Sequence, residues 1–221
     1  MLRYEGQGSA KASVSLLAEV MALLAQAGLK PKDLSVIAYG RGPGAFTGLR
    51  TACAATQGLA FGADDRPVMG VDSLMAVAQQ ARMDGAPATT ITALLDARMD
   101  EMYAATYTFD GTLVPASVPV ALSVPALISP DALTTEVSAR YFNNTQPTLA
   151  GNGQAVYGQR WADAPWQAQD WPTLPSAAAM LHLLPALWAA GAATDAALAI
   201  PLYVRDQVAL TTAERAALKS A

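Results

Sequence analysis

The sequence predicts an α/β fold, because strand-like runs hand over to helices through glycine or polar turns in two successive stretches of chain. Three handovers carry the prediction. The apolar run Leu34-Ser35-Val36-Ile37-Ala38-Tyr39 leads through a glycine-dense loop to a helical segment at 49–61. Residues 67–71 lead to a helix at 73–78, and 148–150 lead through Gly151-Asn152-Gly153 to a helix starting near Gln154.

Residues 13–27 carry a helical pattern in which Val14, Leu17, Met21 and Leu24 line one side and Leu16, Val20 and Leu23 widen it. Gly28 ends it. Ala18, Ala22 and Ala25 leave only Ser15, Glu19 and Gln26 as a polar stripe, so this helix has apolar surface for two neighbours, one in its own core and one outside. In the loop that follows the first strand, Gly40, Gly42, Gly44 and Gly48 allow tight turning or close backbone approach, Pro43 stiffens the turn, and Thr47 is placed to cap the next helix. The Gly-Lys-Ser/Thr ending of a P-loop is missing, and Thr47 stands where a dinucleotide fingerprint needs its last glycine. Arg50 falls in the first helical turn, where a cation opposes the helix dipole; it calls for a negative neighbour or for solvent. Thr51, Ala54, Ala55 and Gly58 make one side of this helix small enough for another helix axis to approach, and the residues alone favour internal packing.

The helix after 67–71 takes Asp72 or Ser73 as its amino cap, and Asp84-Gly85-Ala86-Pro87 breaks the pattern at a boundary between residues 1–84 and 88–221. Runs 90–95 and 102–109 predict a hairpin, with Asp110-Gly111 as the next turn. Recurrent prolines over 115–130 leave room only for an edge strand within Val118-Pro119-Val120-Ala121-Leu122. Trp161, Trp166 and Trp171 lie in a proline-containing polar stretch without interleaved basic residues, so they pack that stretch onto the body instead of stacking bases. Residues 177–193 form the longest apolar run, interrupted by His182 and Pro185 and too short for a typical membrane span.

Composition bounds the function classes. Of 221 residues, 52% are hydrophobic and 14% charged, against about a quarter charged in ordinary domains, so some apolar surface is expected to be covered by a partner. A net charge of −4 without a basic cluster argues against a free-standing nucleic-acid binder. The single Cys53 excludes an internal disulfide and a cysteine zinc site, suiting a reducing cytoplasm, and the amino terminus has no apolar signal core. A serine or cysteine hydrolase would need His182, the one histidine, as its base; within an apolar helix it reads as a packed residue, as does Cys53 among Thr51, Ala52, Ala54 and Ala55.

The blocks GRGPGAFTGLRTACAATQGLAFG at 40–62, Pro67-Val68-Met69-Gly70-Val71-Asp72-Ser73-Leu74 and Asp96-Ala97-Arg98-Met99-Asp100-Glu101-Met102-Tyr103 together closely resemble the bacterial TsaB family. The resemblance runs from about Tyr4 to about Leu210, strong through Tyr107 and looser beyond, and the stretch 201–210 resembles the family's ending. It implies two actin-like ATPase lobes of the ASKHA, ribonuclease-H-like kind. It also implies a non-catalytic paralogue of TsaD that helps TsaD transfer a threonylcarbamoyl group from its adenylate to the tRNA adenosine beside the anticodon, with the ATPase TsaE as a further partner. In TsaB proteins the first two long helices form the interface with TsaD or with a second TsaB. Carried onto this sequence, that makes Leu16, Val20, Leu23, Thr51, Ala55 and Gly58 the interface residues, with tRNA contacted only through the complex. TsaD builds its metal centre on a paired-histidine helix, which a chain with His182 alone does not reproduce; no catalytic, cofactor or metal residue is assigned.

Two departures qualify the resemblance. TsaB proteins usually open with a strand, an Asp-Thr-Ser-Thr type turn and two more strands, whereas Met1 to Glu5 matches at most the end of the third, so the first lobe is expected to lack its initial strands. The expectation is a start assigned too far downstream or a fragment that folds poorly alone, with the strand at 34–39 left short of sheet neighbours. Asp96-Ala97-Arg98 also lacks the glycine of a phosphate-gripping hairpin. A glycoprotease-like hydrolase, as the family was once described, and weak nucleotide binding at Gly151-Asn152-Gly153 are the alternatives.

Overall fold

In the computed structural model, residues 2–6, 12–134 and 146–205 are described; residues 206–210 of the family-like ending lie outside them. Helix α1 (Ala12–Gln26) comes first and is closed by Gly28 in a left-handed conformation. Strand β1 (Ile37–Gly42) and strand β2 (Val68–Asp72) pair in parallel from Ile37 opposite Val68, joined by helix α2 (Phe46–Phe61). A parallel pair requires such a crossover. Helix α3 (Ser73–Met83) follows β2 directly.

The second sheet is mixed. Strands β3 (Thr90–Arg98) and β4 (Glu101–Thr108) form an antiparallel hairpin, and the short β5 (Val120–Ala121) and β6 (Ala126–Ile128) both pair with β4. On the other side of β3, β7 (Thr148–Gly151) and β8 (Gln169–Trp171) add in parallel. Helix α4 (Gly153–Tyr157) leaves β7, and α5 (Ala177–Ala189) returns over the sheet.

Helix α3 is the structural centre, since it touches both sheets and α5. Leu74, Val77, Ala78 and Ala81 are fully buried, sharing one core with Val71 of β2, Ile91 and Tyr107 of the hairpin, and Leu183 of α5. Strand β3 shows why its run is almost wholly apolar. Ile91, Ala93 and Leu95 face the α3 core while Leu94 points into a separate cluster with Met102, Leu133, Leu149 and Trp161, so both sides of the strand are covered. Between them Thr92 and Thr106 share a buried hydroxyl pair at 2.9 Å across the hairpin. A smaller cluster of Tyr39, Cys53, Ala60 and Val68 seats α2 on the first sheet.

Several local expectations shift. The strand expected at 34–39 starts at Ile37, because Pro31–Asp33 forms a 3-10 turn whose C-cap is Leu34 and pairing with β2 begins only afterwards. Helix α2 begins at Phe46, with Ala45 at the N-cap and no side-chain capping bond, so Thr47 is not its cap. Asp72 does occupy the N-cap of α3, but its carboxylate turns to Arg41 Nε at 2.5 Å instead of to the helix amides. The helix after β7 starts at Gly153, one residue before Gln154. Among the described residues β1 pairs only with β2, which also bridges to Thr194 on its far side. The tryptophan stretch packs as expected: Trp161 is buried and donates its indole N–H to the Pro130 carbonyl at 2.8 Å, with the Trp166 ring 6.2 Å away.

Candidate functional site

Two surfaces bear on function: a cleft between the first turn of α2 and the β3–β4 turn, and the outer side of α1 and α2. The cleft encloses about 390 Å³, a size that accepts a small molecule. On one wall Phe46 and Leu49 come from α2; on the other are Asp96, Arg98 and Met99, with Asn152 behind and Tyr203 closing one end.

The α2 wall resolves the Arg50 oddity, and no carboxylate among the described residues pairs with it. Its guanidinium carbon lies 3.8 Å from the centre of the Phe46 ring, and its Nε donates to the Tyr203 hydroxyl at 3.0 Å. Phe46 and Tyr203 rings stand 5.3 Å apart, making a small aromatic–cation stack at the rim. The turn before it is tight for a definite reason: Gly42 has φ of 115°, and a Cβ there would sit 2.8 Å from the Leu202 carbonyl oxygen.

The opposite wall is built without glycine. Arg98, Met99 and Asp100 take φ values of 62°, 56° and 60°, three consecutive left-handed residues where hairpins normally place Asn or Gly. Such residues cost roughly 1–2 kcal/mol each, and local bonds offset that. Asp96 accepts from the Arg98 amide at 2.9 Å and from the Tyr157 hydroxyl at 2.9 Å, while the Asp96 amide donates to Asn152 Oδ1 at 2.8 Å. Burial and the neighbouring Asp96 push the Tyr157 pKa up, which keeps that hydroxyl a donor. The turn's own carboxylate therefore takes up the Arg98 amide and sets a negative charge beside the cleft. The Gly151-Asn152-Gly153 turn is likewise spent on packing, because Gly151 and Gly153 both press against Leu94 of β3.

On the outer surface α1 lies against α2. Leu16, Val20 and Leu23 are half-buried, whereas Leu17 and Met21 are 47% and 46% exposed. Of the predicted positions on α2, Thr51 and Ala55 are half-buried and Gly58 is exposed, with nothing within 4 Å of a Cβ built on it. The α2 side chains that go inward are Leu49, Cys53, Thr56 and Ala60, so the small side faces away from the first sheet. Sequence reasoning placed Leu17 and Met21 on the apolar arc but did not single them out as its most exposed members, since periodicity gives a direction and not a neighbour.

The hydrolase candidates have these surroundings among the described residues. Cys53 is buried, burial pushes its thiol pKa up, and its hydrogen-bonding partner is Tyr39, whose own pKa is pushed up to about 12 chiefly by burial. A nucleophilic thiol needs the opposite shift. His182 is half-buried on α5, and its Nδ1 has no hydrogen-bond partner among the described residues. No group of three or more His, Cys, Asp or Glu suited to a metal ion occurs among the described residues, and no described helix is long and apolar enough to cross a membrane.

Two solved structures share this arrangement of sheets and helices. One is described as an uncharacterized protein with similarity to peptidase YEAZ from Pseudomonas aeruginosa, with a TM-score of 0.71 and 34% identity over 87% of this chain and 83% of that one. The other is described as YeaZ from Pseudomonas aeruginosa, with a TM-score of 0.70, 34% identity and coverage of 86% and 83%. The family model described as TsaD, tRNA N6-adenosine threonylcarbamoyltransferase, matches residues 8–213. The class is thus that of TsaD-like mixed α/β proteins with the actin-like ATPase fold. Within it, the tRNA threonylcarbamoyladenosine biosynthesis protein TsaB of Haemophilus influenzae is 32% identical over 186 residues, 84% of this chain and 76% of the relative. The Escherichia coli protein of the same name is 46% identical over 96 residues, a match that spans 43% of this chain but 40% of the relative's length. The chain belongs to the TsaB family.

Proposed function

We propose that this chain is a non-catalytic accessory subunit that binds a TsaD-type catalytic subunit through α1 and α2 and so supports threonylcarbamoyl transfer to tRNA adenosine. The observation that carries the reading is the pair Leu17 and Met21, nearly half exposed on α1 beside the small, outward side of α2. Leu16, Val20, Leu23, Thr51, Ala55 and Gly58 form the surrounding contact in this reading, and a second copy of the chain competes for the same face. The reaction takes place in the partner, with a TsaE-type ATPase joining the assembly in the cytoplasm. A net charge of −4 supports tRNA being held by the complex and not by this subunit. Residues 1–84 and 88–221 act as its two lobes in this reading.

The test is association. Met21→Glu places a charge on the exposed part of the arc, where internal packing does not oppose it, and Ala55→Glu adds charge and volume nearer the α1–α2 contact. Each is expected to weaken TsaD binding at least 30-fold, about 2 kcal/mol, in analytical ultracentrifugation, with the melting temperature of Met21→Glu unchanged. Normal binding by both folded variants removes this face from the interface. Failure of the wild-type gene to restore the modification in a strain lacking TsaB removes the accessory role itself.

One neighbour's description as similar to a peptidase motivates the second reading, a hydrolase. It requires His182 or Cys53. A peptidase assay is expected to find the wild type, His182→Ala and Cys53→Ala all at background; a robust wild-type activity lost in either variant would establish the enzyme instead.

A further inference from the structure

Residues 199–205 cross the end of the cleft and touch both of its walls, and the two attachments differ in kind. On the β1–α2 side the segment is sewn down along its length. Gln57 donates to the Ala199 carbonyl at 3.1 Å, the Tyr39 hydroxyl to the Ile200 carbonyl at 3.3 Å, and the Leu202 amide to the Arg41 carbonyl at 2.7 Å. The Tyr203 hydroxyl accepts from Arg50. On the hairpin side, the polar ties among the described residues all come from one side chain. Arg205 donates to the carbonyls of Ala97 and Arg98 at 3.0 and 3.3 Å, meets the Glu101 carboxylate at 2.7 Å, and reaches Met99 Sδ at 3.3 Å.

We propose that residues 199–205 are a latch, fixed to the β1–α2 side and releasable at Arg205, which decides whether the cleft is closed. Charge-assisted hydrogen bonds of this sort are strong while dry, and the Arg205 side chain is only 13% exposed. What it grips is a turn of three left-handed residues, with the Met99 side chain 73% exposed and Asp100 at its far end held separately by Arg160 at 2.5 Å. Withdrawal of one guanidinium therefore frees two carbonyls and a carboxylate to water and lets the turn relax, while the four ties on the α2 side keep the segment in place. The cleft then opens toward Met99 and not toward Phe46. This inference concerns the cleft and does not rest on the accessory role.

The experiment uses the full chain carrying Cys53→Ser, with spin labels at the exposed positions Thr47→Cys, beside Phe46 on the α2 wall, and Ala155→Cys on α4, the helix whose Tyr157 holds Asp96. Arg205→Gln is expected to broaden the inter-label distance distribution and to raise amide hydrogen exchange at 97–101 at least tenfold, leaving α3 protected as in the wild type. Glu101→Gln, which keeps the acceptor's size and removes its charge, is expected to raise exchange in the same turn several-fold. An unchanged turn and distance in Arg205→Gln overturn the latch. So does a uniform loss of protection that includes α3, if Glu101→Gln then shows no rise confined to the turn.

Discussion

Alanine in place of Gly151 is expected to destabilise the protein by about 4 kcal/mol, combining an off-region backbone with overpacking. Gly151 has φ of 118°, and a Cβ there would lie 2.0 Å from the Leu94 carbonyl oxygen and 2.9 Å from its carbon. These are backbone atoms, so no side chain can swing aside. Leu94 is also held from both sides, paired with Gly151 on β7 and with Ala104 on β4, which denies β3 an easy shift. The expected fall in melting temperature is roughly 10 °C for a chain of this size, and the Asn152 bond to the Asp96 amide is lost with it. Gly58→Ala is the contrast: it sits inside α2 with open space around it and is expected to gain up to about 1 kcal/mol from helix propensity. Equal melts for the two variants would mean that β7 does not approach β3 as described.

Leu183→Ala is expected to cost about 3 kcal/mol, within the range for emptying a buried leucine site. Leu183 is fully buried in the α3 core, and α5 rests on both α3 and β1 through this face. Leu183 is the largest fully buried side chain on this helix, beside the smaller buried Ala178, Ala179 and Ala186. Pro185 inside it removes a backbone hydrogen bond, and Ser176 supplies the one capping bond, accepted from the Ala179 amide at 3.0 Å. Leu181, two residues away and half exposed, should tolerate alanine within about 0.5 kcal/mol. Denaturant melts of both variants check the pair, and a Leu181 loss as large as that of Leu183 would contradict the orientation of α5.

What the sequence disclosed and what it concealed divide along a physical line. The handovers at 37–61, 68–83 and 148–157 were readable because local periodicity and turn chemistry settle them. The apolar arc of α1 was readable for the same reason; what covers it was not, and a partner there is what the family resemblance implies. The β3–β4 turn was not, because Arg98 and Met99 contradict the residue preferences of the left-handed conformation they adopt, and the groups that hold the turn, Tyr157, Arg160 and Arg205, come from distant parts of the chain. Arg50 stands against the helix dipole in the sequence itself, yet its partner Tyr203 lies 153 positions away, and no local rule reaches that far. The same holds for Gly151 and Gly153. Their turn was visible, but the neighbour that demands glycine, Leu94, appears only when β7 meets β3.

The fastening of Tyr39 to the Ile200 carbonyl has a consequence for how the protein is made. The two residues are 161 positions apart, and ribosomes add about 5–20 residues per second, so the early strand emerges roughly 10–30 s before its clasp exists. During that interval Tyr39, Arg41 and Gln57 present unmet polar groups beside apolar ones on a nascent chain. Chaperone occupancy during translation is therefore expected to concentrate on the β1–α2 region and to fall only once residues near 200 have left the ribosome.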